Sequence, residues 1–139
     1  MTVQWFSKSL QALATIYDNN ITFNTAASRF LDNAYKVVIG FDQKEKTLLI
    51  KTVSKEDVSM GLYKSEDLYS VTIKPSYGRI HSKQIVRNLC ELFPLDFENK
   101  TSYKYACTWD APQKVLKVNL QKEVEEWVGL KLQWLFFGL

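Results

Sequence analysis

The chain has 139 residues, of which 46% are hydrophobic and 14% aromatic, so its composition is that of a folded domain and excludes global disorder. Its net charge is +3, from 18 basic and 15 acidic residues, which permits a nucleic-acid partner without demanding one. No run of about eighteen apolar residues predicts a transmembrane helix and no signal peptide is visible, so we expect a cytoplasmic protein without membrane contact.

The first group of predicted elements begins with a strand at residues 13–17, LATIY, followed by a DNN turn. Residues 21–30 predict a second strand and a short helix capped by Asn24 or Thr25. Residues 35–51 alternate in polarity on both sides of DQKEK, which predicts a β-hairpin. The residues predicted to face inward are Tyr35, Val37, Ile39, Phe41, Leu48 and Ile50.

The same order of elements recurs later in the chain. Residues 69–73 predict a strand, KPSYG a turn, and residues 80–89 a strand end with a helix capped by Ser82. Residues 80–89 align with residues 21–30, so that Ile80 matches Ile21. Residues 103–119 predict a second hairpin around DAPQK, and they align without a gap to the first hairpin. The identical positions are Tyr35 and Tyr103, Lys36 and Lys104, Asp42 and Asp110, Lys46 and Lys114, and Leu48 and Leu116.

These matches indicate an internal repeat, with copies at residues 13–52 and 69–120 joined by a polar linker at 53–68. Neither copy has enough apolar surface to be stable alone, so we expect the two copies to share one core. The predicted fold is a single α+β domain over residues 1–139, mainly β, built as a pseudo-twofold barrel. The alternative is a pair of similar hairpins within an unrelated α+β fold.

The C-terminal residues 121–139 predict an apolar helix with two adjacent stripes. One stripe contains Val124, Val128, Leu132, Leu135 and Leu139. The other contains Trp127, Leu130, Trp134 and Phe137, which form the predicted interaction surface. Such a wide apolar face must be buried, either on the chain's own barrel or in another subunit of a homo-oligomer. Membrane-surface binding is disfavoured, because the glutamates ahead of the stripe would repel anionic lipids.

A family resemblance is carried by the stretch that begins with Gly78, Arg79 and Ile80 and continues through a capped helix into the second hairpin. Its helical members are Ile85, Arg87 and Leu89. The stretch resembles the swapped-hairpin fold of the AbrB and SpoVT transition-state regulators, and two copies in one chain resemble the tandem arrangement of the MraZ family. The resemblance implies hairpins interlaced into a barrel, with basic residues along one edge that contact DNA.

Carried onto this chain, the resemblance implies that double-stranded DNA is bound by Lys74, Arg79, Lys83 and Arg87. Lys83 and Arg87 are one helical turn apart and share a face. The first copy has Asn20, Asn24 and Ser28 where the second has Arg79, Lys83 and Arg87, so only one half is strongly cationic. The alternatives are a solvated basic face and a protein-interaction or assembly module that does not bind DNA.

Catalytic and metal-binding patterns are not apparent in the sequence. His81 is the one histidine and cannot form a zinc site by itself, and Cys90 and Cys107 form neither a CxxC pair nor a disulfide framework. Asp42 and Asp110 begin the two hairpin turns, where an Asp typically bonds its own backbone. We therefore expect a non-enzymatic protein with reduced thiols, no metal or other cofactor, and no small-molecule substrate.

Overall fold

The computed structural model describes residues 11–124, which form one antiparallel sheet of eight strands and three short α-helices. The strands are β1 (Leu13–Tyr17), β2 (Asn20–Asn24), β3 (Lys36–Asp42), β4 (Thr47–Val53), β5 (Thr72–Lys74), β6 (Tyr77–His81), β7 (Ser102–Asp110) and β8 (Val115–Glu123). The helices are α1 (Thr25–Ser28), α2 (Lys55–Ser59) and α3 (Lys83–Leu92). The sheet curves into a half-barrel. The eight strands and three short helices confirm the predicted α+β, mainly β, class.

The strands are arranged in the order β3-β4-β8-β7-β1-β2-β6-β5. Strands β1, β2, β3 and β4 of the first copy correspond to β5, β6, β7 and β8 of the second. Exchanging each strand with its counterpart reproduces the same pairs of neighbouring strands, when the isolated bridge between Val37 and Tyr69 is counted as the contact between β3 and the segment that leads into β5. In the β2–β6 pair, Ile21 lies opposite Ile80, the two residues that the sequence alignment equates. The register therefore has a pseudo-twofold pattern.

Both predicted hairpins form, and their turns have the same backbone conformation. Asp42 Oδ1 accepts hydrogen bonds from the backbone N–H groups of residues 44 and 45, at 3.0 and 3.1 Å, and Asp110 Oδ1 accepts one from Gln113 N at 3.2 Å. The last turn residue of each hairpin, Lys46 or Lys114, has a positive φ, of 52° and 57° respectively. The structural interpretation of both aspartates is thus confirmed.

The core lies on the concave face of the sheet, where alternate strand residues are buried. The largest fully buried side chains are Phe23, Ile16, Ile21, Leu31, Leu48, Ile50, Ile80, Leu116, Val37, Val53 and Val118. Helix α3 covers this face with Ile85, Val86 and Leu89. Burial of this apolar surface is the main source of stability for a sheet of this kind.

Each copy has a helix that starts on a side-chain cap, as predicted. Asn24 accepts a hydrogen bond from Ala27 N at 3.0 Å, and Ser82 accepts one from Ile85 N at 3.1 Å. The first-copy helix is short and packs against the second-copy strand β6 at Gly78. A Cβ on Gly78 would approach Ser28 Cβ to 3.0 Å, so the close contact requires a residue without a side chain.

Three predicted elements differ from the structure. Tyr35 precedes β3 and is exposed, although we predicted that it faces inward. The strand predicted at 69–73 is Thr72–Lys74, and its turn is confined to residues 75 and 76. Within the predicted linker, α2 has no buried residue, whereas Val53 is the buried last residue of β4.

The predicted C-terminal helix does not begin at residue 121. Strand β8 continues to Glu123, which pairs with Tyr105 beyond a register shift where β8 has extra residues relative to β7. Leu120 is buried and its N–H donates to Lys46 O at 2.9 Å, so cross-strand bonds hold this stretch extended against its helical pattern. The residues of the predicted interaction surface, Trp127, Leu130, Trp134 and Phe137, lie outside the described residues.

Candidate nucleic-acid interface

Strands β5 and β6 place two of the predicted DNA-binding cations on the convex face of the sheet. In β6, Gly78 and Ile80 are buried, so Tyr77 and Arg79 project from the opposite face. Lys74 is the last residue of β5, lies opposite Tyr77 and is exposed. Lys74 and Arg79 therefore share this outer face, which is turned away from the core.

The Arg79 side chain is held by two neighbours. Its Nε donates to Thr22 Oγ1 at 2.9 Å, and its guanidinium carbon lies 4.7 Å from the centre of the Tyr77 ring. The Thr22 hydroxyl in turn donates to Asn20 Oδ1 at 2.7 Å, which fixes the hydroxyl as an acceptor for Arg79. No carboxylate within residues 11–124 forms an ion pair with Arg79. The terminal guanidinium nitrogens thus remain available to an anion.

A row of cross-strand neighbours extends from Arg79 across the outer face. In order of strand pairing, its members are Lys104, Thr15, Thr22, Arg79 and Thr72. Three strand spacings separate Lys104 from Arg79, which is about 14 Å at the usual spacing of neighbouring strands. This separation is similar to the ~12 Å width of the major groove of B-DNA. The two cations in this row therefore lie about one groove width apart along the sheet.

The other two predicted cations, Lys83 and Arg87, lie on the exposed side of α3. Because α3 packs on the core face through Ile85 and Leu89, its exposed side belongs to a different surface from Arg79. Lys83 and Arg87 border an open depression of about 500 Å³ that two acidic residues, Asp18 and Glu91, also line. The structure therefore distributes the four cations over two surfaces, where we predicted one edge.

The strongest pKa shifts occur in the core. Burial raises the pKa of the Cys107 thiol to about 12. Burial, with smaller contributions from the charges of Glu123 and Tyr103, raises the pKa of Tyr105 to about 12. Both groups are therefore neutral at physiological pH. No group of three or more potential metal ligands occurs among the residues that the structure describes.

The side chains that position Arg79 are not indicated by the residues next to it in the chain. Thr22 is 57 positions away from Arg79 in the chain, and Tyr77 was assigned to a turn. The alternation of Ile21, Thr22 and Phe23 does predict an outward-facing hydroxyl in β2. Pairing of the two repeats about Ile21 and Ile80 would have placed that hydroxyl opposite Arg79. The signal was therefore present in the alignment.

Comparison of the chain with protein-family models, curated proteins and solved structures finds no match. The resemblance to the AbrB and SpoVT regulators thus rests on the stretch from Gly78 to Leu89 and on the second hairpin. Within residues 11–124, none of the helices has both the length and the apolar character needed to cross a bilayer. Support for a function therefore comes from the geometry of the outer face.

Proposed function

We propose that this protein binds double-stranded DNA without catalysing a reaction, as a transcriptional regulator of AbrB-like type. The observation that carries the proposal is the geometry of Arg79, held by Thr22 and Tyr77 with its terminal nitrogens unpaired among the described residues. A guanidinium that is already positioned loses little side-chain entropy when it binds a phosphate.

In this proposal the half-barrel is a swapped-hairpin barrel. Hairpins β3–β4 and β7–β8 come from different halves of the chain, and they pair side by side through β4 and β8. Helix α1 of the first half contacts β6 of the second half, and α3 of the second half contacts β2 of the first. These exchanged contacts support an interlaced arrangement, since each half covers the other's strands.

The proposed interface is centred on the outer-face row, with Lys74 beside it. Each phosphate that a cation neutralises releases counterions from the duplex, which supplies salt-dependent affinity. Lys83 and Arg87 lie on a different surface, so we expect Arg79 and Lys74 to supply the phosphate contacts of this interface. Because Asn20 replaces the arginine in the first half, each chain offers one strong cationic half. Two chains bound side by side would present two such halves to a longer site.

The proposal is tested by titrating a fluorescent DNA duplex with the protein at two salt concentrations, about 50 and 200 mM. The variant carries Arg79→Ala, Lys83→Ala and Arg87→Ala. We expect micromolar, salt-sensitive binding by the wild type. The variant should lower the slope of log affinity against log salt by about 1, because Arg79 alone lies on the proposed interface and each contact contributes ~0.9; a decrease of about 3 would mean that Lys83 and Arg87 also contact phosphates. Arg79→Ala alone should account for the largest single loss of affinity.

A matched control removes the same charge elsewhere, through Lys44→Ala, Lys55→Ala and Lys64→Ala. These lysines lie in the first hairpin turn and in the segment between the two repeats, away from the outer-face row. The control should bind DNA with nearly the wild-type slope. Equal losses of DNA affinity in the two triple variants would show that binding depends on net charge and not on this interface. Absence of salt-sensitive binding by the wild type would rule out the proposal.

A second candidate function is a protein-interaction module that does not bind DNA. Exposed apolar side chains just after α2 favour it, because Met60 and Leu62 are 72% and 60% exposed. This candidate becomes the leading one if the duplex titration fails.

A further inference from the structure

The two halves of the sheet differ in how completely their corresponding strands pair. Strand β1 pairs with β7 along its whole length, from Leu13 to Tyr17. Its pseudo-twofold counterpart, the segment that leads into β5, meets β3 only at Tyr69, which exchanges two backbone hydrogen bonds of 2.9 Å with Val37. Beyond Val37, the outer edge of β3 has no strand beside it within residues 11–124.

The open edge exposes backbone donors and acceptors of Ile39 and Phe41. Along β3, alternate residues direct their N–H and C=O groups to opposite sides, and Val37 directs both of its groups away from β4. Ile39 and Phe41 therefore direct theirs to the same open side, where residues 11–124 provide no partner. At the equivalent place in the other half, Cys107 N donates to Ala12 O at 2.9 Å. The counterpart of Ile39 thus has the bond that Ile39 lacks.

An apolar groove runs along this edge, between β3 and α3. Its apolar lining is Ile39, Phe41, Leu48, Ile85, Leu89 and Leu92. The groove has a volume of about 130 Å³, close to the ~150 Å³ of apolar cavities that accept a benzene ring. The Phe93 ring, 6.1 Å from that of Phe41 between centroids, packs against this strand at the groove's end. An unpaired strand edge beside an apolar groove is the arrangement that binds an added β-strand.

We propose that this groove is a strand-addition site, and that its occupant is residues 130–134 of the same chain. The sequence there is Leu-Lys-Leu-Gln-Trp, which alternates apolar and polar residues with the period of a strand. Added beside β3, it would pair its backbone with Ile39 and Phe41. Leu130, Leu132 and Trp134 would share one face and approach the groove, and Lys131 and Gln133 would face solvent.

The position of β8 makes the site reachable from within the chain. Strands β3, β4 and β8 are successive antiparallel neighbours, so β8 ends at the same end of the sheet as β3. Leu120 N already bonds to Lys46 O, in the turn that follows β3. A strand added beyond β3 would lie three strand spacings from β8, about 14 Å, and the five residues 125–129 span up to ~17 Å when extended. The connection is therefore long enough.

Hydrogen exchange of individual backbone amides in the full-length protein, followed by NMR, tests the proposal. In the wild type we expect slow exchange at Ile39 and Phe41. Leu132→Asp should accelerate exchange at both amides by about tenfold or more, because a buried charge would expel the added strand. The Val37 amide should stay protected in the same variant, since its bond to Tyr69 does not involve the added strand.

A second variant and a control address the groove itself. Leu92→Glu places a charge at the exposed margin of the groove and should accelerate the same two amides. Met60→Glu, at a residue that is 72% exposed outside the groove, should not. Fast exchange at Ile39 and Phe41 in the wild type, or unchanged exchange in Leu132→Asp, would overturn the proposal. Protection that falls on tenfold dilution would assign the occupant to a second copy and equally overturn it.

Discussion

The two halves of this molecule follow one plan and differ at their edges. In the second-half hairpin, β7 has β1 as a full partner, whereas in the first-half hairpin, β3 has a single bridge at Val37. The cause lies in the approaching chain. Ala12 leads straight into β1, but Ser65–Asp67 forms a 3-10 turn ahead of Tyr69, so too few residues remain extended to cover β3.

A second difference concerns charge. On the outer face, the pseudo-twofold register relates Arg79 to Asn20 and Lys104 to Lys36. In the first hairpin, Lys36 Nζ donates to Ser70 Oγ at 2.7 Å. In the second hairpin, Lys104 lies opposite Thr15. A lysine beside a hydroxyl residue therefore occurs in both halves. The arginine occurs in only one half. The two copies therefore share one core, while their edges and outer faces differ.

The largest expected effect comes from truncating the equivalent core leucines, Leu116 and Leu48, which are both almost completely buried. We expect Leu116→Ala to reduce the free energy of unfolding by about 4 kcal/mol, because it leaves a cavity between paired strands. Leu48→Ala should cost less, about 2 to 3 kcal/mol, because Leu48 lines the open groove and its cavity can be relieved there. Urea denaturation measures both values, and equal losses would contradict the difference between the halves.

A smaller effect is expected at alkaline pH from Cys107, the counterpart of Ile39. Its folded-state pKa of about 12 lies above the ordinary value of 9.0, so the folded state favours the neutral thiol. The resulting stability is fully present below pH 9 and is lost as the pH rises toward 12. Between pH 10 and 11 this thiol should cost about 1 kcal/mol of unfolding free energy. Cys107→Ala should flatten the decline in urea midpoints measured over this range, and an unchanged decline would contradict burial of the thiol.

The smallest expected effect on stability concerns a feature that the two halves share, the positive φ at the end of each hairpin turn. Lys46 and Lys114 have positive φ values that an L-residue adopts at a cost, so replacing either by Gly removes that strain. Lys46→Gly and Lys114→Gly should each raise the free energy of unfolding by about 0.5 to 1 kcal/mol. Thermal denaturation should show similar gains for both. Lys44→Gly, a turn residue without a positive φ, is the control and should give no gain; a gain in only one hairpin would show that the turns are not equivalent.

Much of the fold could be predicted because the signals are local. The alternation in the two hairpins, the aspartates at the turn starts and the caps at Asn24 and Ser82 each depend on residues a few positions apart. The alignment of the two copies also equates Ile21 with Ile80, which the structure pairs directly. The predicted start of the C-terminal helix at residue 121 is wrong, because β8 extends to Glu123. The same apolar residues can fit either a helical stripe or the end of a strand.

Local sequence patterns were enough to predict the hairpins, the caps and the mainly β class, since backbone preferences and side-chain periodicity act between near neighbours. Tertiary contacts were needed to show that Thr22 accepts a hydrogen bond from Arg79 and that α3 directs Lys83 and Arg87 to another surface. They were also needed to show that the edge of β3 stays open beyond Val37. These features depend on contacts between segments far apart in the chain, where strand order and register set the neighbours and local pattern carries no information about them.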